Sequence, residues 1–181
     1  MSQDKEFPTL NELEYLSYID ENGQVTENFP GKIGVYAIFN QEKNLQFVGY
    51  SRDVIVSLKQ HLVRKPDKCY WVKAHTIERP NRTILEEIEK AWIAENGSIP
   101  LGNDSDKEAW TQAINVQAMM TEAEQTSYAH PMNDDLAKMK VLKNVARRVE
   151  AEILAVLAAR GLQAQIRFNP KLKEEGLLDL K

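Results

Sequence analysis

Three side chains between residues 36 and 89 have the chemistry to work on a reacting bond: Tyr36, His61 and Glu89. At about 100° per residue, the segment Thr83–Glu95 carries a continuous apolar arc of Leu85, Ile88, Trp92, Ile84 and Ala91, with Ile93 at its far edge. Glu89 falls inside that arc, whereas Glu86 and Glu87 lie outside it. A carboxylate turned toward a core is neutralised, paired with a base or bound to a metal ion. The plainer alternative is a glutamate at the margin of a small core, its carboxylate curled outward. On the segment Val54–Leu62, Val54, Leu58 and Leu62 form a buried stripe, and Ser57 and His61 share one flank. A histidine there is an acid–base group or a satisfied core residue. Tyr36 offers a phenol that orients a reactant, or simply packs with its hydroxyl bonded. Cys69 is the single cysteine, which excludes an internal disulfide and any multi-cysteine zinc or iron–sulfur site. It is a buried structural thiol or the sole carrier of a redox response.

These residues need elements to hold them. Ile33–Phe39 and Leu45–Tyr50 are β-branched and aromatic runs joined by five polar residues, which predicts a hairpin with a longer loop. Ser51 and Asp53 are cap candidates for a helix from about Val54 to Leu62. Tyr70–Ile77 reads as a third strand, and Thr83-Ile84-Leu85-Glu86 as a capping box opening a helix to about Glu95. A similar box, Thr9-Leu10-Asn11-Glu12, predicts a short helix before the turn at Glu21–Gln24. A helix is expected over about 107–124 and a longer one over Asp135–Arg160, ended by Gly161. The alternation in Leu162–Phe168 predicts a half-buried strand. The class is α+β: a small antiparallel sheet flanked by helices, with a mainly helical C-terminal extension ending in a strand.

Taken together, Gly34-Val35-Tyr36 in one strand, Phe47-Val48-Gly49 in the next, His61 in a helix and Glu89 in a second helix resemble the GIY-YIG nuclease family. The resemblance covers about residues 31–104. It implies metal-dependent phosphodiester cleavage, with Tyr36 as general base or orienter, His61 at the family's first-helix histidine and Glu89 holding Mg²⁺ or Mn²⁺. It also exposes departures. Phe47 replaces the second motif tyrosine, and Ser57 stands where the family has an arginine. Losing a cation at a developing oxyanion costs on the order of 10²–10³ in rate. The expected activity is therefore weak or vestigial. A closer resemblance is to degenerate cyanobacterial and plastid members, including the N-terminal domain of certain chloroplast glutaredoxins. It rests on the aromatic-Val-Gly-x-Ser-Arg stretch ending at Arg52, Pro66-Asp67-Lys68-Cys69, and the loop Pro100–Asn103. The alternative function is a non-catalytic binding or redox-responsive module on the same fold.

Composition bounds what remains. The chain has 181 residues, 43% hydrophobic and 28% charged, with net charge −4, which suits a globular protein and argues against a strong generic nucleic-acid binder. The charge is blocked, however: residues 31–75 carry eight basic and three acidic side chains, and residues 137–181 ten and five. Lys140, Lys143 and Arg147 cluster beside the apolar face of the long helix. They are a solvated edge, or a phosphate-contact strip acting with Arg52, Lys59, Arg64 and Lys65. Of these, none of Arg52, Lys59 and Arg64 is expected to project from the flank of position 57 at the same height. The organisation expected is a lead-in over 1–30, the GIY-YIG-like domain over 31–104 and an extension over 105–181. Nucleic acid is the expected partner, with a protein partner for the extension. No zinc, no organic cofactor and no membrane span are expected. Met1–Glu6 is acidic without an apolar run, so neither a secretory signal nor a transit peptide is expected, and the compartment is read as cytoplasmic.

Overall fold

A computed structural model describes residues 7–181. The hexapeptide Met1–Glu6 and the expectation attached to it lie outside the described residues. The chain divides into two compact units, the first running through Thr111 and the second from Gln112. The fold is α+β.

The first unit is built on a four-stranded antiparallel sheet. Its strands are β1 (Leu16–Ser17), β2 (Ile33–Phe39), β3 (Leu45–Ser51) and β4 (Trp71–Ile77), in the order β1-β4-β2-β3. The hairpin expected from the two apolar runs is β2–β3, with Tyr36 opposite Gly49 and Ile38 opposite Phe47. Central position explains the composition of β2: Val35, Ala37 and Phe39 face one core with Val48, Leu85, Ile88 and Trp92. Tyr36 and Ile38 point to the opposite face, by the twofold alternation of a strand. Glycine is obligatory at position 34, because a Cβ there would lie 2.3 Å from the carbonyl oxygen of His75 on β4.

Helix α1 (Val54–Arg64) follows β3 directly. Asp53 caps it by accepting from the Val56 N–H at 3.3 Å, and Ser51 Oγ accepts from the Asp53 N–H at 2.9 Å. The helix runs two residues past the expected end at Leu62. Helix α2 (Arg82–Asn96) starts from Asn81, whose side chain accepts from the Ile84 N–H, rather than from the Thr83 box. Glu86, the expected partner in that box, instead accepts from Arg82 Nε at 2.8 Å and from the Tyr50 hydroxyl at 3.1 Å. Gly97 ends the helix in a left-handed conformation, φ 84°. A 3₁₀ turn (Leu101–Asn103) and the short helix α3 (Lys107–Thr111) complete the unit.

The helix expected at Thr9 is absent. Thr9 Oγ1 does accept from the Glu12 N–H, but the Leu10 and Asn11 N–H groups are taken by the two carboxylate oxygens of Glu95, at 2.8 and 2.9 Å. Trp92 Nε1 donates to the Pro8 carbonyl and Lys73 Nζ to the Leu10 carbonyl. Tertiary partners thus satisfy the groups that a helix would have used, and the segment continues into edge strand β1.

The second unit holds β5 (Ile114–Asn115), a 3₁₀ turn (Val116–Met119), α4 (Glu122–Tyr128), α5 (Asp135–Ala159), α6 (Pro170–Lys173) and β6 (Leu177–Leu178). The single helix expected over 107–124 is broken into these pieces. Ile114 and Asn115 pair with Leu178 and Leu177, and Thr121 with Glu124 forms a capping box that restarts the chain as α4. The long helix is α5, buried through Leu142, Val145, Ala146, Val149, Ile153 and Leu157. Val156, next to Leu157 on the same helix, is 41% exposed. Gly161 follows with φ 89°. The strand expected over Leu162–Phe168 does not form: exposure alternates along it, but only Phe168 makes a bridge, to Leu180. Alternation alone supplies no hydrogen-bonding neighbour. No helix among the described residues is long and apolar enough to cross a membrane.

Candidate functional site

Across the hairpin from Tyr36, position 49 must be glycine, since a Cβ there would lie 2.6 Å from the Phe47 ring and 2.8 Å from the Tyr36 hydroxyl. The missing side chain lets the phenol lie along β3 and reach α1. There the Tyr36 hydroxyl meets His61 Nε2 at 2.8 Å. The Phe47 ring packs on His61 at a centroid separation of 4.6 Å. Trp110 of α3 stacks on Phe47, the planes 1° apart and the centroids 5.4 Å. Tyr36 and His61 are each 4% exposed.

Tyr36, Phe47 and His61 of this aromatic group line a cleft of about 340 Å³. Glu89, Ser57, Arg64, Lys107 and Asn103 stand around it. Ser57 Oγ donates to Ser51 Oγ at 2.7 Å and lies beside the phenol as well. Asn103 pins the far wall: its Oδ1 accepts from the Val48 N–H at 2.8 Å and its Nδ2 donates to the Val48 carbonyl at 2.7 Å, as a neighbouring strand would. Gly102 permits that approach, because a Cβ there would lie 2.5 Å from the Gln46 carbonyl oxygen.

Burial sets the charge states. It pushes the Tyr36 phenol well above its usual value, against smaller opposing effects from Ser57 and Arg64, so the hydroxyl keeps its proton. It pulls His61 down to about 3, helped by the Arg64 charge, so the ring is neutral. Among the described residues His61 Nδ1 is buried without a partner at hydrogen-bond distance, although the Trp110 carbonyl lies near enough to favour the charged ring slightly. Burial raises Glu89 while Lys107 holds it down.

The sequence-derived residues therefore divide. Tyr36, Phe47, Ser57, His61 and Glu89 converge on one cleft. Arg64 joins them, on the flank of position 57 but two turns further on rather than at its height. The extra residues of α1 put Ser57, His61 and Arg64 at i, i+4 and i+7, on one side of the helix. Arg64 Nη1 donates to the Trp110 carbonyl at 3.2 Å. Arg52 is exposed and Lys59 half-buried, and neither lines the cleft; Lys65 pairs with Asp106 at 2.7 Å. Lys140 and Arg147 are exposed and Lys143 half-buried on α5, in the second unit. Cys69 is fully buried, its thiol donating toward the His61 carbonyl at 3.6 Å. Sequence reasoning missed Lys107 and Trp110 as site residues; a lysine and a tryptophan three apart in a polar segment were the available signal.

The donor set fits only one kind of metal site. Among the described residues no three His, Cys, Asp or Glu side chains gather to hold an ion. One half-buried carboxylate suits a weakly held Mg²⁺ or Mn²⁺ that takes its other ligands from phosphate and water.

No family model matches the chain. A curated relative, the bifunctional monothiol glutaredoxin-S16, chloroplastic, of Arabidopsis thaliana, is 37% identical over 83 residues, which are 44% of this chain and 28% of that protein. The chain thus spans little more than a quarter of the relative's length. The likeness to a chloroplast glutaredoxin noted from the sequence is present over that stretch.

Proposed function

We propose that the cleft takes a phosphodiester of nucleic acid and cleaves it slowly, in the manner of the GIY-YIG nucleases. One observation carries the reading: a hydrogen-bonded phenol–imidazole pair opens on the same cleft as an isolated carboxylate and two cations, Arg64 and Lys107. Tyr36 donates its O–H to His61 Nε2, leaving its oxygen lone pairs for a water at the cleft floor. As that water attacks phosphorus, its proton passes to Tyr36 Oη and the phenol proton to His61 Nε2. Arg64 and Lys107 balance charge on the phosphoryl oxygens. A divalent ion bound at Glu89 would supply charge neutralisation at the phosphate and the leaving oxygen.

The same geometry accounts for a low rate. The relay ends on an imidazolium that burial and Arg64 both oppose. Nicking of plasmid DNA with Mg²⁺ or Mn²⁺ tests the reading. Wild type should nick, and Glu89→Ala and Tyr36→Phe should each lose about 10²-fold or more. Nicking that survives Glu89→Ala would overturn it.

A second reading has its own support. The tight cover of Phe47 and Trp110 over a pair only 4% exposed favours a non-catalytic nucleic-acid module. DNA binding by wild type without any nicking would select it. A redox-responsive role gains little, because a reactive cysteine needs partial exposure and Cys69 has none. Lys140, Lys143 and Arg147 of α5 are positioned on the second unit's surface to contact phosphate, and the chloroplast name of the relative favours a plastid-type setting over a generic cytoplasm.

A further inference from the structure

On the opposite face of the sheet lies a second cavity, of about 450 Å³, that the proposed chemistry does not use. Two lysines from different elements enter it. Lys73, on β4, is 6% exposed, its Nζ 2.8 Å from the Leu10 carbonyl and 4.0 Å from the centre of the Tyr15 ring. Lys43, at the tip of the β2–β3 hairpin, holds its Nζ 4.8 Å from the same ring and 4.9 Å from that of Trp71. Two ammonium groups thus share one tyrosine. Ring faces attract cations, but they do not neutralise them.

Lys43 is also the one non-glycine residue with positive φ among the described residues, at 65°. Glycine or asparagine is the low-strain choice for that conformation. Among the described residues Glu95 is the only carboxylate lining the cavity, and both its oxygens are engaged by the Leu10 and Asn11 N–H groups. Neither lysine makes a salt bridge with it. With two lysines to one carboxylate the described lining carries excess positive charge; burial and, less strongly, Lys43 weaken the hold of Lys73 on its proton, while Glu95 strengthens it. Asn44 and Ser98 bring polar groups to the rest of the wall.

We infer that this cavity binds the phosphate of a small phosphorylated polyhydroxy compound between Lys43 and Lys73. A dianion matches two ammonium groups, and the volume leaves room for a sugar-sized body against the polar wall. This inference is independent of the nuclease reading, since no residue of that cleft takes part.

Calorimetric titration of the full chain at constant ionic strength tests it, with inorganic phosphate, ribose 5-phosphate and sodium sulfate as probes. Saturable binding of ribose 5-phosphate is expected, tighter than that of inorganic phosphate, with sulfate weaker than ribose 5-phosphate. Lys43→Gly keeps the left-handed turn, so it should fold with an unchanged or higher melting temperature yet bind about tenfold more weakly. Lys73→Met should weaken binding by a similar factor, but it also strands the Leu10 carbonyl and lowers stability, so Lys43→Gly is the deciding variant. Glu89→Ala and the triple change at Lys140, Lys143 and Arg147 should bind like wild type. No saturable binding of either phosphate compound would overturn the inference. So would equal binding by Lys43→Gly, loss of binding in the α5 triple variant, or binding seen only with a 5′-phosphorylated oligonucleotide.

Discussion

His61 and Lys73 are both bases, both nearly sealed from solvent, and sit on opposite faces of one sheet. Their surroundings differ. His61 has a phenol at Nε2, no hydrogen-bond partner at Nδ1 among the described residues and an arginine charge nearby, so its neutral form prevails. Lys73 has a backbone carbonyl, a ring face at 4.0 Å and the Glu95 charge, which offset part of the cost of burying an ammonium. Burial alone does not decide a charge state. The acceptors and opposite charges supplied with it do.

The sharpest way to break this comparison is to remove the ammonium. Lys73→Met should strand the Leu10 carbonyl and loosen the segment before β1, costing about 2–3 kcal/mol in urea denaturation. A loss below about 0.5 kcal/mol would mean that the lysine is not a structural cation.

Next in size is a pH effect on the other base. The folded-state value of His61 lies below its unfolded value of about 6.5, so the unfolded chain binds the extra proton as pH falls. Stability is then fully present above about pH 6.5 and lost toward pH 3, at about 1.4 kcal/mol per pH unit from this group. Urea midpoints from pH 7.5 to 5 should show that slope in wild type and a flatter one in His61→Gln. Parallel slopes would place the acid sensitivity elsewhere.

A smaller change asks whether the cleft is dormant. Ser57→Arg with Phe47→Tyr supplies the two groups that the family resemblance finds missing. It should raise metal-dependent nicking about tenfold, equivalent to about 1.4 kcal/mol in the barrier. Because Arg64 already occupies the same flank two turns on, a double variant that folds, binds DNA and gains nothing would show that a second guanidinium only repels the first.

The solvated cations of α5 give the smallest effect. Replacing Lys140, Lys143 and Arg147 with glutamine should move stability by no more than about 0.5 kcal/mol. It should also reduce the slope of log affinity for duplex DNA against log salt by about 2.7 if all three contact phosphate. An unchanged slope returns them to a solvated edge.

Much of the cleft was legible because its residues sit on regular elements with strong periodicity. The β2–β3 hairpin placed Tyr36 and Phe47, and the helical wheel singled out Glu89 within an apolar arc. Arg64 was legible as a cation near the site, but its alignment with Ser57 and His61 was not, because two residues of helix end decide whether a side chain belongs to a flank, and Lys65 rather than a glycine closes α1. Trp110 and Lys107 escaped for a different reason. The segment 107–124 reads as one helix, and only the pairing of β5 with β6 and the Thr121 box show that α3 is a separate turn. The N-terminal box failed because a carboxylate 84 and 85 residues away captured its amides, which no local pattern reveals.

Cys69 has a use that does not depend on any chemistry of its own. It is the single cysteine, fully buried, with its sulfur against the carbonyl of His61 in the last turn of α1. A thiol reagent can reach it only when the packing between that turn and the segment leading into β4 opens. The labelling rate, divided by that of an unfolded peptide, is then an equilibrium constant for opening the cleft's own wall. Compared with the global unfolding constant, it gives the fraction of the molecule's stability that guards Tyr36 and His61, read from one sulfur atom in the unmodified sequence.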